Sequence, residues 1–154
     1  MNEPGPDNHE QIDVSVIIIN WNTCAMTCEC LASVFEHTRD VAFEVIVVDN
    51  DSQDDSVTTI RRDFPQVRLI ENDANRGFAA ANNQAMDVAR GRYMLLLNSD
   101  TLLLDAAIDA SVRYMDDASN ARVGMMGCRV LNTDRTVQRT CAMFPSLFNL
   151  MLES

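Results

Sequence analysis

Three runs of apolar, largely β-branched residues divide the chain and predict strands. They cover residues 14–19, 44–48 and 93–97, and a weaker fourth run covers residues 67–70. None of the three strong runs alternates strictly between apolar and polar positions, so we expect both faces of each strand to be covered. The pattern therefore predicts a parallel sheet that lies between two other layers.

Helical spacing of apolar residues separates the predicted strands. The helices are expected over residues 24–37, about 54–64, about 78–89 and about 105–117, and Gly91 is the expected C-terminal stop of the third. Alternation of strands and helices predicts right-handed βαβ units. The expected fold is therefore an α/β three-layer sandwich with a mostly parallel central sheet.

Composition narrows the possible functions. The chain has 154 residues, 47% of them hydrophobic, and a net charge of −11, which fits one domain of a soluble globular protein. So acidic a chain lacks the cationic surface for non-specific nucleic-acid binding. There is no lysine among its twelve basic residues, which excludes a P-loop lysine and a Schiff base. A phosphorylated ligand would need a divalent cation, Mg²⁺ or Mn²⁺, to screen the repulsion.

The two ends and the cysteines carry further expectations. Residues 1–12 are polar and acidic, with two prolines, and are expected to be a disordered leader before a domain at residues 13–154. The apolar stretch 144–152 predicts either a continuation of the natural protein or a surface that a partner, such as a second copy, buries. The five cysteines lack paired C-x-x-C spacing, which favours free thiols in a reducing compartment over a zinc site.

Candidate ligand-binding residues follow the predicted strands, because open α/β sheets bind ligands beyond the carboxyl ends of their strands. After the first strand there is no G-x-G-x-x-G; Asn20 and Asn22 could read a base edge or merely cap the next helix. Asp49 follows four apolar residues, so we expect it to be partly buried and directed at the crevice. There it could accept hydrogen bonds from ribose hydroxyls or a base imino group.

The third and fourth strand ends offer groups suited to a phosphorylated ligand. Gly77 precedes a predicted helix, whose free amides favour an anion, and Arg76 could contact a phosphate. Asn82 and Asn83 suggest a polar contact from an otherwise apolar helix. Asp100, beside Ser99, suits a Mg²⁺ or Mn²⁺ ion that diphosphate oxygens and water complete. Such a cation stabilises a departing nucleoside diphosphate.

Four collinear motifs resemble the inverting glycosyltransferases of family 2. They are residues 14–22, 47–52, 75–78 with 82–83, and 96–101. The resemblance covers roughly residues 13–147 and implies the GT-A fold, here truncated. It also implies a nucleotide-diphosphate sugar donor (UDP-, dTDP- or GDP-linked) and a polysaccharide, cell-wall or lipid-linked acceptor.

The resemblance implies roles for individual residues. Asp49 would bind the base or ribose, and Asp100 would be a metal ligand and the final aspartate of a D-x-D signature. Asn98 replaces the first aspartate, as in the bacterial rhamnosyltransferase-like subgroup; residues 132–138 are similar to that subgroup, but Arg135 stands where glycine is usual. The residues expected to bind the nucleotide sugar are Asn20, Asn22, Asp49, Asn75, Arg76, Gly77, Asn82 and Ser99.

The catalytic base of this family is not assigned to any residue of the chain. No acidic residue after Asp100 matches the base motif. We therefore expect this chain alone to bind a sugar nucleotide but to transfer sugar poorly or not at all. A non-catalytic nucleotide-sugar or carbohydrate binding module is the main alternative. The sequence lacks the acidic pair after the first strand and the lysine near the last that a receiver-like domain needs. It also lacks the glycine-rich, basic loop that usually follows the first strand of a nucleotidyltransferase. A cytoplasmic protein is expected, either free or peripherally bound to the cytoplasmic face of a membrane through further parts.

Overall fold

The structure, a computed structural model, describes residues 11–138 of the chain. The chain divides into two compact units, Met1–Ala121 and Arg122–Ser154. The apolar stretch 144–152 and residues 1–10 of the expected leader lie outside the described residues. Within the described part, no helix has both the length and the apolarity needed to cross a membrane.

A four-stranded parallel sheet forms the centre of the first unit. Its strands are β1 (Val14–Asn20), β2 (Phe43–Asp49), β3 (Arg68–Glu71) and β4 (Tyr93–Asn98), in the spatial order β3-β2-β1-β4. The chain builds the sheet in one direction from β1 to β3 and then returns to place β4 on the other side of β1. The carboxyl end of β1 is therefore a topological switch point, where open α/β sheets bind ligands.

Helices cover the two faces of the sheet. The helices are α1 (Cys24–His37), α2 (Ser56–Asp63), α3 (Phe78–Met86) and α4 (Ala107–Asp116), followed by a short 3-10 helix, Ala118–Asn120. Helices α1, α2 and α4 share one apolar cluster with Val16 and Ile18 of β1, whereas α3 packs with Ile17 on the opposite face. The predicted three-layer α/β architecture is confirmed.

Strand β4 differs from the prediction that both of its faces are covered. Tyr93, Leu95 and Leu97 pack against the cluster of α1, α2 and α4, but Met94 and Leu96 are 51% and 46% exposed. This strand is at the edge of the sheet, while α3 packs against β1 and β2. The prediction was wrong for β4, because an apolar run does not show whether another element covers both sides.

Helix α3 ends earlier than predicted, and Gly91 has another role. The helix stops at Met86, so Gly91 does not terminate it. A Cβ atom at position 91 would lie 2.3 Å from the backbone nitrogen of Ser15, far inside any non-bonded contact distance. Glycine is required here because the chain passes directly against the start of β1.

A largely buried carboxylate joins β1, β2 and the segment that leads into β4. Glu44 Oε1 accepts hydrogen bonds from the Ser15 hydroxyl and the Arg90 backbone N–H, both at 2.7 Å. Glu44 Oε2 accepts from the Arg90 guanidinium at 2.9 Å. Burial alone would raise the pKa of Glu44, but these donors outweigh it and hold the pKa below its usual range.

We expect Glu44→Gln to lower the free energy of unfolding by about 1–2 kcal/mol at pH 7, since the amide loses one charge-assisted acceptor. Because the pKa of Glu44 is lower in the folded state, its contribution is present above the unfolded pKa and lost as pH falls through the folded pKa. In urea unfolding, the difference in the free energy of unfolding between the variant and the wild type should therefore shrink below about pH 4. The control Glu71→Gln removes an exposed ion pair with Arg61 and should change the free energy of unfolding little. A difference in the free energy of unfolding between Glu44→Gln and the wild type that stays constant down to pH 3 would contradict this account.

The described part of the second unit contains a tight turn. Leu131 and Val137 form an antiparallel bridge, and the Asn132 backbone N–H donates to the carbonyl of Thr136 at 2.8 Å. Arg135 has a φ of 65°, in the left-handed region that favours glycine. A glycine at position 135 would adopt this conformation with less strain than arginine does.

Candidate functional site

A cavity opens at the switch point, beyond the carboxyl ends of β1, β2 and β4. Its volume is about 240 Å³. This is below the roughly 300–1,000 Å³ of sites that hold a whole small ligand, so the cavity suits one part of a larger ligand. The residues that line it are Ile19, Trp21, Thr23, Asn50, Asn75, Phe78 and Ser99. Two of the predicted nucleotide-sugar residues, Asn75 and Ser99, are among them.

Asn20 and Asp49 form a buried pair at the ends of β1 and β2, where they are 0% and 2% exposed. Asn20 Nδ2 donates to Asp49 Oδ1 at 2.6 Å, and Asn20 Oδ1 accepts from the hydroxyls of Thr23 and Thr27 at 2.8 and 2.6 Å. Asp49 Oδ2 accepts from the backbone N–H of Ser52 at 2.9 Å. Asp49 is thus more deeply buried than expected. Both ends of the Asn20 amide are hydrogen-bonded to other residues of the protein.

Asn22 lies at the surface and joins the turns after β1 and β2. Its Oδ1 accepts from the backbone N–H of Gln53 at 2.7 Å, and its own N–H donates to Ser52 Oγ at 2.9 Å. Its φ of 54° is in the left-handed region, which asparagine tolerates better than most residues. The capping alternative was wrong for both asparagines, because Thr23 is the N-cap of α1 and makes no side-chain cap bond.

The loop before α3 contains three of the predicted residues. Asn75 Oδ1 accepts from the backbone N–H of Gly77 at 2.9 Å and from Asn50 Nδ2 at 3.2 Å, and Gly77 has a φ of 79°. The guanidinium of Arg76 pairs with Asp73 at 3.0 Å. Helix α3 begins without a side-chain cap, so its first amides are open to an anionic group.

Asn82 makes a hydrogen bond within its own helix. Its Nδ2 donates to the carbonyl of Phe78, one turn earlier in α3, at 2.8 Å, and its side chain is buried. A polar residue on an apolar helix face can therefore be satisfied by its own backbone.

Asp100 follows β4 in an exposed turn, beside Ser99. Within residues 11–138, no three His, Cys, Asp or Glu side chains come together as a metal-binding group. Asp100 therefore offers a single hard oxygen ligand, which fits a divalent cation whose other ligands arrive with a diphosphate and water. Burial, together with the charge of Asp100, raises the pKa of the Cys30 thiol to about 12, so this thiol stays protonated.

Two aromatic residues of the cavity were not predicted as site residues. Trp21 and Phe78 are 55% and 59% exposed, which is unusual for side chains of this size. Exposed rings beside amide groups suit stacking on a planar base or packing on a sugar face. A signal was present in the sequence: Trp21 comes two residues after an apolar run, at a strand end.

Comparison with known proteins identifies the family. The profile described as glycosyl transferase family 2 matches residues 15–149. An uncharacterized protein of Mycobacterium tuberculosis is 35% identical over 116 residues, which cover 73% of this chain and 34% of that protein. The succinoglycan biosynthesis protein ExoO of Rhizobium meliloti is 29% identical over 135 residues, 87% of this chain and 38% of that protein. The chain spans little more than a third of the length of these relatives.

Solved structures share the fold. The mannosyltransferase PcManGT of Pyrobaculum calidifontis, solved with GDP-Man and Mn²⁺, has a TM-score of 0.62 and 28% identity over 71% of this chain and 34% of its own. Residues 1–349 of TarS from S. aureus, solved with UDP-GlcNAc, have a TM-score of 0.62 and 24% identity over 70% of this chain and 32% of theirs. The fold is GT-A, and the chain belongs to glycosyl transferase family 2.

Proposed function

We propose that this chain is the nucleotide-sugar-binding part of an inverting glycosyltransferase. The observation that carries the proposal is the cavity at the switch point, which amides and two exposed aromatic residues line. A base would stack on Trp21 or Phe78, and the amides would bond to its polar edge. The solved neighbours with GDP-Man and UDP-GlcNAc support a ligand of this class.

Residues on either side of the cavity would hold the other parts of the donor. Asp100 would hold a divalent cation, Mg²⁺ or Mn²⁺, and the Mn²⁺ in PcManGT supports this assignment. When bound, such an ion supplies positive charge that stabilises the departing nucleoside diphosphate. The open amides at the start of α3 would bind phosphate oxygens, and Arg76 would add positive charge if it left Asp73. Asp49 would bind the ribose or base after a small rearrangement at its buried position.

The acceptor site and the general base would be formed by residues outside 11–138. Asp109 is buried and accepts hydrogen bonds from the backbone N–H groups of Arg39 and Asp40. Asp116 pairs with Arg92, and the carboxylates of Asp117 and Asp134 each bind a backbone N–H two residues later. These four carboxylates are occupied in local structure, which is a poor arrangement for deprotonating an acceptor hydroxyl.

The acceptor class is part of the same proposal. We assign the chain to polysaccharide or cell-wall assembly in the cytoplasm, in a rhamnosyltransferase-like subgroup, with transfer to a saccharide or lipid-linked acceptor. The name of the relative from Rhizobium meliloti, a succinoglycan biosynthesis protein, supports a polysaccharide product. Arg135 departs from the glycine that the resemblance to that subgroup implies, although its φ of 65° is one that glycine favours.

The proposal predicts that one of UDP-, dTDP- and GDP-sugars binds in calorimetric titration and that binding depends on Mn²⁺. The emission of Trp21, the single tryptophan, should change in the same titration because the residue lines the cavity. Asp100→Ala should weaken metal-dependent binding by about tenfold or more. The control Asp105→Ala, at an exposed position nearby, should bind like the wild type.

Three results would decide against parts of this proposal. Absence of binding by every donor would remove the nucleotide-sugar function. Unchanged binding in Asp100→Ala would remove the metal assignment. Binding by both this chain and a C-terminally extended chain, without sugar transfer by either, would favour a non-catalytic binding module of the same fold.

A further inference from the structure

Four side-chain amides form a continuous line from α3 to the cavity, here called the amide relay (Gln84, Asn72, Asn50 and Asn75). Gln84 Nε2 donates to Asn72 Oδ1 at 2.9 Å, and Asn72 Nδ2 donates to Asn50 Oδ1 at 3.0 Å. Asn50 Nδ2 then donates to Asn75 Oδ1 at 3.2 Å. Asn50 and Asn72 are buried, and Asn75 lines the cavity.

Two backbone groups fix the direction of the relay. The N–H of Arg76 donates to Asn50 Oδ1 at 3.2 Å, and the N–H of Gly77 donates to Asn75 Oδ1 at 2.9 Å. A backbone N–H can only donate, so the amides of Asn50 and Asn75 must turn their oxygens toward these groups. The reversed orientation of either amide would bring two donors together.

The orientation of Asn75 determines what the cavity wall presents to a ligand. Its Oδ1 already accepts two hydrogen bonds from the protein, while its Nδ2 has no partner among residues 11–138. Of the two ends of this amide, Nδ2 is therefore the one left for a ligand, as a hydrogen-bond donor. A ligand that binds here gains most when it places an acceptor oxygen against Asn75.

We propose that Asn50 is a positioning residue for the nucleotide sugar. By donating to Asn75 Oδ1 it holds the amide of Asn75 so that Nδ2 donates to an acceptor oxygen of the donor substrate. Both a carbonyl oxygen of the base and a phosphate oxygen have this chemistry. The inference rests on the proposed nucleotide-sugar site. It adds that the cavity offers the ligand a hydrogen-bond donor at Asn75.

Asn50→Asp tests the relay directly. The carboxylate keeps an acceptor for Asn72 and Arg76 but places an oxygen against Asn75 Oδ1, so Asn75 must turn or move away. Amide hydrogen exchange measured by NMR should then show faster exchange at Gly77 and unchanged protection at Arg76. Affinity for the nucleotide that binds the wild type best should fall by about tenfold or more. Gln66→Glu, the same change from amide to carboxylate at an exposed position before β3, is the control and should alter neither quantity.

Asn75→Asp tests the polarity of the wall, and the fold should tolerate it because Asn75 is exposed. It keeps the oxygen that Gly77 and Asn50 use but replaces the donor facing the ligand with an acceptor. Gly77 should stay protected while nucleotide affinity falls by about tenfold or more. The nucleoside of that nucleotide and pyrophosphate, titrated separately, identify the contact: a loss for the nucleoside places it on the base, and a loss for pyrophosphate places it on a phosphate.

The outcomes that overturn the inference are distinct from failure of the proposed function. Wild-type exchange at Gly77 in Asn50→Asp would show that the relay does not hold Asn75. Faster exchange at Gly77 with unchanged nucleotide affinity would remove the positioning role, and unchanged affinity in Asn75→Asp would remove the donor role. If the wild type binds no nucleotide, the proposed function fails and this inference with it, whatever the exchange data show.

Discussion

Gly91→Ala is expected to lower the free energy of unfolding by about 2–3 kcal/mol, as overpacking of a close-packed interior does. The added Cβ would lie 2.3 Å from the Ser15 nitrogen, 2.7 Å from the Val14 carbonyl carbon and 2.8 Å from the Tyr93 oxygen. All three are backbone atoms, so no side-chain rotation can relieve the contact. Strand β1 pairs with β2 on one side and with β4 on the other, so it cannot shift without loss of sheet hydrogen bonds.

Urea unfolding followed by circular dichroism measures this effect. Gly124→Ala is the matched control, because a Cβ there meets nothing within 4 Å and its φ is not positive. We expect the control to differ from the wild type by less than about 0.5 kcal/mol. Equal midpoints for the two variants would show that the segment at Gly91 can move away from β1 at little cost.

Asn20→Ala is also expected to have a large effect and to lower the free energy of unfolding by about 2–4 kcal/mol. The change removes a donor to the buried carboxylate of Asp49 and the shared acceptor of Thr23 and Thr27. Each buried group left without a partner costs about 1–3 kcal/mol, and more if it is charged. Partial entry of water into the space would reduce the sum.

Asn83→Ala provides the comparison for Asn20→Ala, because Asn83 lies exposed on α3. Alanine has the higher helix propensity, so this variant should unfold at the same or a slightly higher urea concentration than the wild type. Equal destabilisation of both variants would contradict the special role of Asn20. Nucleotide titration of Asn20→Ala, under conditions where it is folded, would then show whether the Asn20–Asp49 pair also shapes the site.

The sequence pattern could predict the strands, because apolar β-branched runs are a strong local signal. The weakest run was expected at residues 67–70 and is observed at Arg68–Glu71. Coverage of β4 could not be predicted, since it depends on which distant elements pack on each face. The end of α3 was misjudged because glycine has two uses, a helix stop and a close approach of backbones, and only the structure distinguishes them.

The sequence could predict where the candidate cavity lies better than it could predict the contacts of individual residues. The strand-end rule led to Asn75 and Ser99, which line the cavity. It could not separate polar side chains that are free for a ligand from those that the protein itself uses. For Asn20, that distinction depends on Asp49, 29 positions away in the sequence. Trp21 and Phe78 were overlooked because aromatic residues at strand ends and helix starts more often belong to the core.

The exposed face of β4 affects how unfolding of this protein can be observed. Met94 and Leu96 occupy alternate positions of one strand, so their side chains lie next to each other on the same open face. Dyes that fluoresce on apolar surface, whose binding is usually taken as a sign of a molten globule, would find such a surface on the folded residues 11–138. Near-ultraviolet circular dichroism, which reports fixed packing around aromatic side chains, distinguishes the native state from a molten one without this ambiguity.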